Sequence, residues 1–332
     1  MRPFGQPPRA RRAANAACAL AMAAGLCLAL YPVAGNVLYR MTARSAVSSY
    51  DVAVASHSQE ELDALWDEAR AYNGELASPD VCDPWGYRAV LPPLDRYWDV
   101  LDPDKTGVMG YVEVPGIGLQ LPIYHGTSDE VLEKGAGHIA TTALPVGGAG
   151  SHPVVTGHTG VPDKLLFTNL ACVKPGDSFA VHVLGRTTTY RVSRVDVVDP
   201  HDTSLLQPVR GEERFTLLTC TPYGINSHRL LVTGVPCAEE GPVAPRGVPL
   251  VAAVWLGLAG ALCCAVALAL LVAGRRVCLP AVVRAAGLVA CAIVLAACLW
   301  AIAGLAMRAG WLTFFDAGYS WFDGHVLEFF GL

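Results

Sequence analysis

Three runs without a single charged residue, at 13–37, 248–273 and 285–307, constrain what this chain can fold into. Each is at least as long as the roughly 20 apolar residues a membrane-spanning helix needs. Between the first and second runs lies a stretch of different character, where short apolar segments are cut by Gly, Pro and Asp. The chain is 53% hydrophobic and only 16% charged over 332 residues, and the excess sits at its two ends. The expected layout is therefore three transmembrane helices flanking one folded domain.

Charge sets the orientation. Arg2, Arg9, Arg11 and Arg12 precede the first run, and Arg275, Arg276 and Arg284 lie between the second and third. Both groups belong in the cytoplasm by the positive-inside rule, which puts 41–246 outside. Arg40 and Arg44 run against this asymmetry without reversing it. A cleaved signal peptide, cut near Ala34-Gly35, is the rival reading of the first run; its length favours an uncleaved anchor. Either way the central domain is exported and tethered by the second run.

The net charge of −5 and the scarcity of lysine argue against nucleic-acid binding. Of eleven cysteines, Cys18, Cys27, Cys263, Cys264, Cys278, Cys291 and Cys298 lie in or beside the apolar runs and read as small apolar residues. Cys82, Cys172, Cys220 and Cys237 fall in the external segment. No CxxC spacing occurs among them, so a structural zinc site is not expected, and no motif asks for another metal or a cofactor.

Within that segment, Ser58-x-x-Glu61 reads as a capping box. Leu62, Leu65, Trp66, Ala69 and Tyr72 follow at helical spacing, and Asn73-Gly74 should stop the helix. Next comes Cys82-Asp83-Pro84-Trp85-Gly86-Tyr87, a turn-forming segment with two large aromatics, unusual because aromatic area prefers to be covered. Short apolar runs at 109–114, 119–124, 153–156, 179–183, 188–198, 215–219 and 230–235 predict a β-barrel or sandwich, with helical turns at 128–134 and 165–170. About 130 residues suffice for one core. The tail beyond Arg308 carries Trp311, Phe314, Phe315, Tyr319, Trp321, Phe322, Phe329 and Phe330; it reads either as an interface-seeking segment or as a poorly ordered terminus.

The chemistry concentrates in Thr216-Leu217-Leu218-Thr219-Cys220, followed by Thr221-Pro222-Tyr223-Gly224 and then Arg229. An apolar strand delivers a thiol to its end at an exposed rim, a turn reverses the chain, and an arginine returns beside the thiol. A nearby cation lowers a thiol's pKa, and a fixed guanidinium can hold an oxyanion. The missing proton donor is offered by His158 in Val154-Val155-Thr156-Gly157-His158-Thr159-Gly160. Taken singly, each residue has a plainer reading: Cys220 as a small core residue, His158 as a turn residue, Arg229 as a solvent-facing strand residue. His125, His138 and His228 are also available, and spacing alone does not select His158 over His228.

These residues resemble the sortases, membrane-bound cysteine transpeptidases of Gram-positive bacteria. The likeness extends through Met109-Gly110-Tyr111, Pro122-Ile123-Tyr124-His125-Gly126-Thr127, Gly135-Ala136-Gly137-His138, Leu144-Pro145-Val146-Gly147-Gly148, Leu166-Phe167-Thr168 and Cys220-Thr221-Pro222-Tyr223-Gly224-Ile225-Asn226 to Arg229-Leu230-Leu231-Val232, the pattern of the class C, pilin-polymerising branch. It covers about 43–235. The resemblance implies an all-β sortase-type barrel with short helices, preceded by an amphipathic helix and a lid and flanked by transmembrane helices. It selects Cys220 as nucleophile, His158 as general acid and base, and Arg229 as the group that holds substrate or oxyanion. His125 and His138 are then structural hydrogen-bonding residues. Asp83, Pro84 and Trp85 resemble the family's lid, with Asp83 approaching Arg229 and Trp85 covering the Cys220 sulfur.

The implied reaction is transpeptidation. Cys220 cleaves an LPxTG-like sorting signal between Thr and Gly, and the acyl group passes to a pilin lysine, polymerising pili without metal or nucleotide. Alternatives are a sortase that attaches surface proteins to peptidoglycan and, in another class, a non-catalytic membrane assembly or peptide-binding factor. A papain-like protease fits poorly, because there the cysteine opens a helix and precedes its histidine. The expected partners are pilins or surface proteins bearing LPxTG-like signals, and membrane lipid. The protein is expected to be a multi-pass protein of the cell membrane with its catalytic domain outside. In order, the expected parts are a cytoplasmic N-terminus (1–12), the first transmembrane helix (13–37), a juxtamembrane helix and lid segment (43–96), and the catalytic domain (97–238). A linker (239–247), the second transmembrane helix (248–273), a basic cytoplasmic loop (274–284), the third transmembrane helix (285–307) and the aromatic tail (308–332) complete the chain. Two C-terminal spans depart from the family's usual one. A Cys172–Cys237 bridge, a Cys82–Cys220 bridge that would lock the lid, and unbridged buried thiols are all open, the last favoured.

Overall fold

The computed structural model describes residues 9–76 and 92–237, except 162 and 223, with side chains on the first helix from residue 31 onward apart from 32 and 33. Helix α1 (Arg9–Ser56) runs through the first apolar segment and continues well past it. Among the residues whose side chains are described, which leave out 9–30 of α1, no helix is long and apolar enough to cross a membrane. The apolar runs at 248–273 and 285–307, the lid segment and the aromatic tail lie outside the described residues.

The chain divides into two units, and the larger, 36–247, holds the β-structure. There α1 buries Tyr39, Ala43, Val47, Tyr50 and Val54, a stripe at helical spacing. Tyr50 fixes that stripe: its hydroxyl donates to Met109 O at 3.1 Å and accepts from Leu184 N at 2.8 Å. Helix α2 (Gln59–Glu75) opens on the expected capping box, with Ser58 and Glu61 satisfying each other's backbone donors. It does not stop at Asn73-Gly74 but runs on to Glu75. The Asn73 side chain instead pins the helix to a distant loop, accepting from Leu144 N at 2.7 Å and donating to Leu144 O at 3.1 Å.

Eight strands close a barrel: β1 (Val108–Val114), β2 (Leu119–His125), β3 (Ala136–His138), β4 (Val154–Thr156), β5 (Ser178–Val183), β6 (Arg186–Val198), β7 (Phe215–Thr221) and β8 (His228–Pro236), in the order β1-β2-β3-β4-β7-β8-β6-β5. Seven of these correspond to the apolar runs of the sequence. The eighth, β3, is a three-residue strand of small and polar residues, too short for any periodicity, yet it links β2 to β4. Helix α3 (Asp129–Lys134) is capped by Ser128, whose side chain accepts from Val131 N. The expected turn at 165–170 is a 3-10 turn shifted to Thr168–Cys172.

β7 sits between the parallel strand β4 and the antiparallel strand β8, and all seven of its residues are buried. Its two faces serve different cores. Phe215 and Leu217 join the main cluster with Val155, Leu230 and Val232. Leu218 joins a second, smaller cluster with Ile139, Val154, Leu206 and Leu231. Covering both faces explains why β7 carries apolar residues on each of them, Phe215 and Leu217 on one and Leu218 on the other.

Candidate active site

β4 and β7 run parallel, with Thr156 level with Leu218. Two residues further along each chain stand His158 and Cys220. Across the other edge of β7, Cys220 is the register partner of Arg229 on β8. The barrel order β4-β7-β8 thus brings the histidine, thiol and guanidinium residues into one row across three neighbouring chains. Because side chains alternate along a strand, Cys220 and Arg229 share the face of Leu218 and Leu231, the face of the smaller cluster.

Hydrogen bonds hold this row in register. Gly157 N donates to Leu218 O at 3.2 Å, so the β4–β7 ladder continues to the residue before His158. Thr219 Oγ1, one residue before the thiol, donates to Gly157 O at 2.7 Å. Phe167 N donates to His158 O at 3.0 Å, and the Phe167 ring packs so close to Gly157 that a Cβ there would lie 3.0 Å from it. Thr219 and Phe167 are positioning residues that sequence reasoning did not assign; only the adjacency of Thr219 to Cys220 hinted at one of them.

Arg229 is only 7% exposed. Its Nη1 donates to Asn226 O at 3.2 Å and to His228 O at 3.1 Å, so the guanidinium is fastened to the turn that joins β7 to β8. That turn is closed by Ile225 N and Asn226 N donating to Pro222 O. The plainer expectation of a solvent-facing strand arginine does not hold. Cys220 also differs from the open rim that the sequence predicts. It is 8% exposed and β7 extends one residue beyond it.

The histidines sort themselves by environment. His138 is fully buried, its Nε2 donating to Ala143 O at 2.8 Å and its Nδ1 accepting from the Tyr97 hydroxyl at 3.0 Å. Burial pushes it down to about 4, which suits a neutral structural ring. The ring nitrogens of His125 lie 2.7 Å from Val100 O and 3.1 Å from Gly107 O, a bracing role as expected. His228 opens β8 opposite Thr221 and contacts the Ser227 hydroxyl. His158 is half-buried, and burial lowers its pKa below the ordinary imidazole value. Asp129 and Glu133 of α3 oppose that shift, and Lys164 reinforces it. Lys164 is itself held by Glu133, with Nζ donating to the backbone oxygen at 3.2 Å.

Cys172 and Cys237 are not bridged to each other. Cys82, with Asp83, Pro84 and Trp85, lies outside the described residues. No cluster of three or more His, Cys, Asp or Glu side chains suited to a metal ion occurs among the described residues. A thiol with an imidazole on one neighbouring chain and a fixed guanidinium on the other can perform acyl transfer, since it unites nucleophile, proton carrier and oxyanion donor.

A family model described as the sortase domain matches residues 112–237. The structure is similar to sortase C-1 from Streptococcus pneumoniae, with a TM-score of 0.55 and 38% identity, covering 59% of this chain and 100% of that one. It is also similar to sortase C-1 from Actinomyces oris, with a TM-score of 0.51 and 43% identity, covering 54% of this chain and 99% of that one. Among curated proteins, the sortase A of Bacillus anthracis is 28% identical over 131 residues, 40% of this chain and 60% of that protein. The chain thus spans about three-fifths of the curated relatives it matches. Together with the eight-stranded barrel, near-complete coverage of relatives at 38% and 43% identity means that this chain belongs to the sortase family, with structural neighbours of the C type.

Proposed function

We propose that this protein is a cysteine transpeptidase of the bacterial membrane that joins pilin subunits through LPxTG-like sorting signals. The observation that carries this reading is the row formed by Cys220 on β7, its register partner Arg229 on β8, and His158 two residues past the end of β4.

Cys220 Sγ attacks the carbonyl carbon of the Thr–Gly bond. Arg229, immobilised by its bonds to the turn carbonyls, holds the developing oxyanion or the substrate chain. His158 passes a proton to the leaving glycine amine, and a Cys220 thioester remains. The ε-amine of a pilin lysine then attacks the thioester. His158 takes its proton, the thiol departs, and an isopeptide bond is formed. The acyl energy of the original peptide bond is conserved in the thioester, so the exchange requires no nucleotide.

Two further features support the pilin-directed form of the reading. The C-type neighbours match at 38% and 43% identity against 28% for sortase A of Bacillus anthracis, and one neighbour is described as a pilus-related sortase C of group B Streptococcus. Asp83-Pro84-Trp85 would act as a lid that shields the thiol until substrate displaces it. The apolar runs at 13–37, 248–273 and 285–307 would anchor the enzyme with 41–246 outside the cell.

The test is a Cys220→Ala replacement in cells that make the pilins. Loss of high-mass pilin ladders is expected, and persistence of normal ladders would overturn the assignment. Ladders that vanish while monomeric pilin still reaches the cell wall would mark this enzyme as the polymerase rather than the wall anchor.

A further inference from the structure

Arg40 and Arg44 are the two basic residues that run against the outward orientation of the central domain, and the catalytic mechanism does not use them. They lie four residues apart on α1, which puts them on one face of the helix. Both line a groove between α1 and β2 that also includes Asn36, Gln120, Leu121 and Asn169. Neither arginine makes an ion pair or hydrogen bond with a described residue.

Asn169 adds an independent sign. It is only 6% exposed, and its side-chain amide makes no hydrogen bond to a described residue. The residue lines the groove, so its amide is available to whatever enters there. Asn36 accepts from Leu165 N through Oδ1 at 3.3 Å, which leaves its Nδ2 as a donor. Two guanidinium forks and these two amides line one groove whose other walls are mostly apolar. That set is built for an anion with several acceptor oxygens, and phosphate is the natural match. The groove offers about 50 Å³, against roughly 10–15 Å³ for a single water, enough for a phosphate group.

The position along the helix identifies the source of that phosphate. Arg40 and Arg44 follow Val37, the last residue of the first apolar run, by three and seven residues. At 1.5 Å per residue this is about 5 and 10 Å along the helix, the depth range of a headgroup layer roughly 5–8 Å thick and the water just beyond it. In the same stretch Leu38 and Met41 are 66% and 65% exposed. Apolar side chains beside basic ones on one short segment suit the boundary between acyl chains and headgroups.

We infer that the groove formed by Arg40, Arg44, Asn36 and Asn169 binds the phosphate of an anionic phospholipid in the outer leaflet. The inference rests on the membrane reading of the first apolar run. It gives the two outward arginines a compensating contact, and it ties α1 to the bilayer surface at the point where the catalytic unit begins.

The experiment uses the full chain extracted in mild detergent, exposed to equal amounts of phosphatidylglycerol and phosphatidylcholine, and weighed by native mass spectrometry. Retention of phosphatidylglycerol over phosphatidylcholine by about tenfold or more is expected. R40Q/R44Q should lose that preference, R40K/R44K should keep part of it, and both should cleave a sorting-signal peptide at the parental rate. Equal retention of the two lipids by the parent, or an unchanged preference in R40Q/R44Q, would overturn the inference. Displacement of the lipid by millimolar inorganic phosphate would also overturn it, by revealing a site for free anions. Carbonate extraction of cell membranes separates this from the membrane reading itself. A chain that stays in the membrane but shows no lipid preference removes only the inference, whereas release into the soluble fraction removes the membrane anchor.

Discussion

Cys220 and Arg229 are register partners across β7 and β8, and the guanidinium opposite the thiol is fastened to Asn226 O and His228 O. The pair is therefore set by strand register and by the turn between the strands rather than by flexible side chains meeting. A charged donor fixed in this way needs little reorganisation when negative charge develops beside the sulfur.

Replacing that donor should damage catalysis more than folding. Arg229→Ala is expected to lower kcat/KM for a sorting-signal peptide by about 10²–10³-fold, the usual range for loss of an oxyanion donor. Arg229→Lys should recover little, because a single ammonium cannot reach both turn carbonyls and the substrate. Peptide-cleavage kinetics with circular dichroism as a folding control would check this. Near-parental rates in Arg229→Lys would show that only charge matters.

Thr219 ties the nucleophile's strand to the histidine's. Thr219→Val keeps the shape but removes the donor to Gly157 O, a buried bond with a net worth of about 0.5–1.5 kcal/mol. A small fall in Tm is expected together with a clear drop in kcat and little change in KM. A variant that loses stability but retains kcat would show that the bond is structural only.

The pH profile should follow the surroundings of His158. Burial lowers its pKa and Asp129 and Glu133 hold it up, while Lys164 pushes it further down. The part of the rate that needs the imidazolium falls as pH rises through that lowered value. Glu133→Gln removes a raising charge and should move this alkaline limb to lower pH, whereas Lys164→Gln should move it higher. Shifts in kcat/KM profiles opposite to these would exclude His158 as the titrating group.

Acid stability should depend on two histidines away from the row. His138 and His152 are both held at about 4 by burial, against an ordinary value near 6.5. The unfolded chain therefore binds protons first as pH falls. The contribution is complete above about pH 6.5 and is lost progressively toward pH 4, by at most about 3 kcal/mol for each ring. His152→Gln should be less stable near neutrality, where it loses contacts to Thr216 and Gln207, but its Tm should fall less steeply in acid. Identical acid slopes in the two proteins would contradict this linkage.

Much of this arrangement is legible in the residues themselves. Seven strands, the Ser58 capping box and the helical turn at 128–134 follow from local pattern, because periodicity and capping chemistry are local properties. What the pattern hides is long-range. β3 has too few residues to carry a period, and Asn73-Gly74 reads as a stop although tertiary bonds to Leu144 carry α2 one residue further. The choice of His158 over His228 is likewise invisible in spacing. It depends on β4 lying parallel to β7, a pairing between segments about 60 residues apart in sequence.

Everything proposed for the mechanism depends on Cys220 carrying the acyl group. Incubating the protein with an LPxTG-like peptide without an amine acceptor, quenching in acid and mapping the adduct by mass spectrometry would show whether it does. A thioester on the Cys220 peptide is expected, released by hydroxylamine and absent from Cys220→Ala. Cleavage of the peptide with no adduct on Cys220, or with undiminished cleavage in Cys220→Ala, would contradict that role.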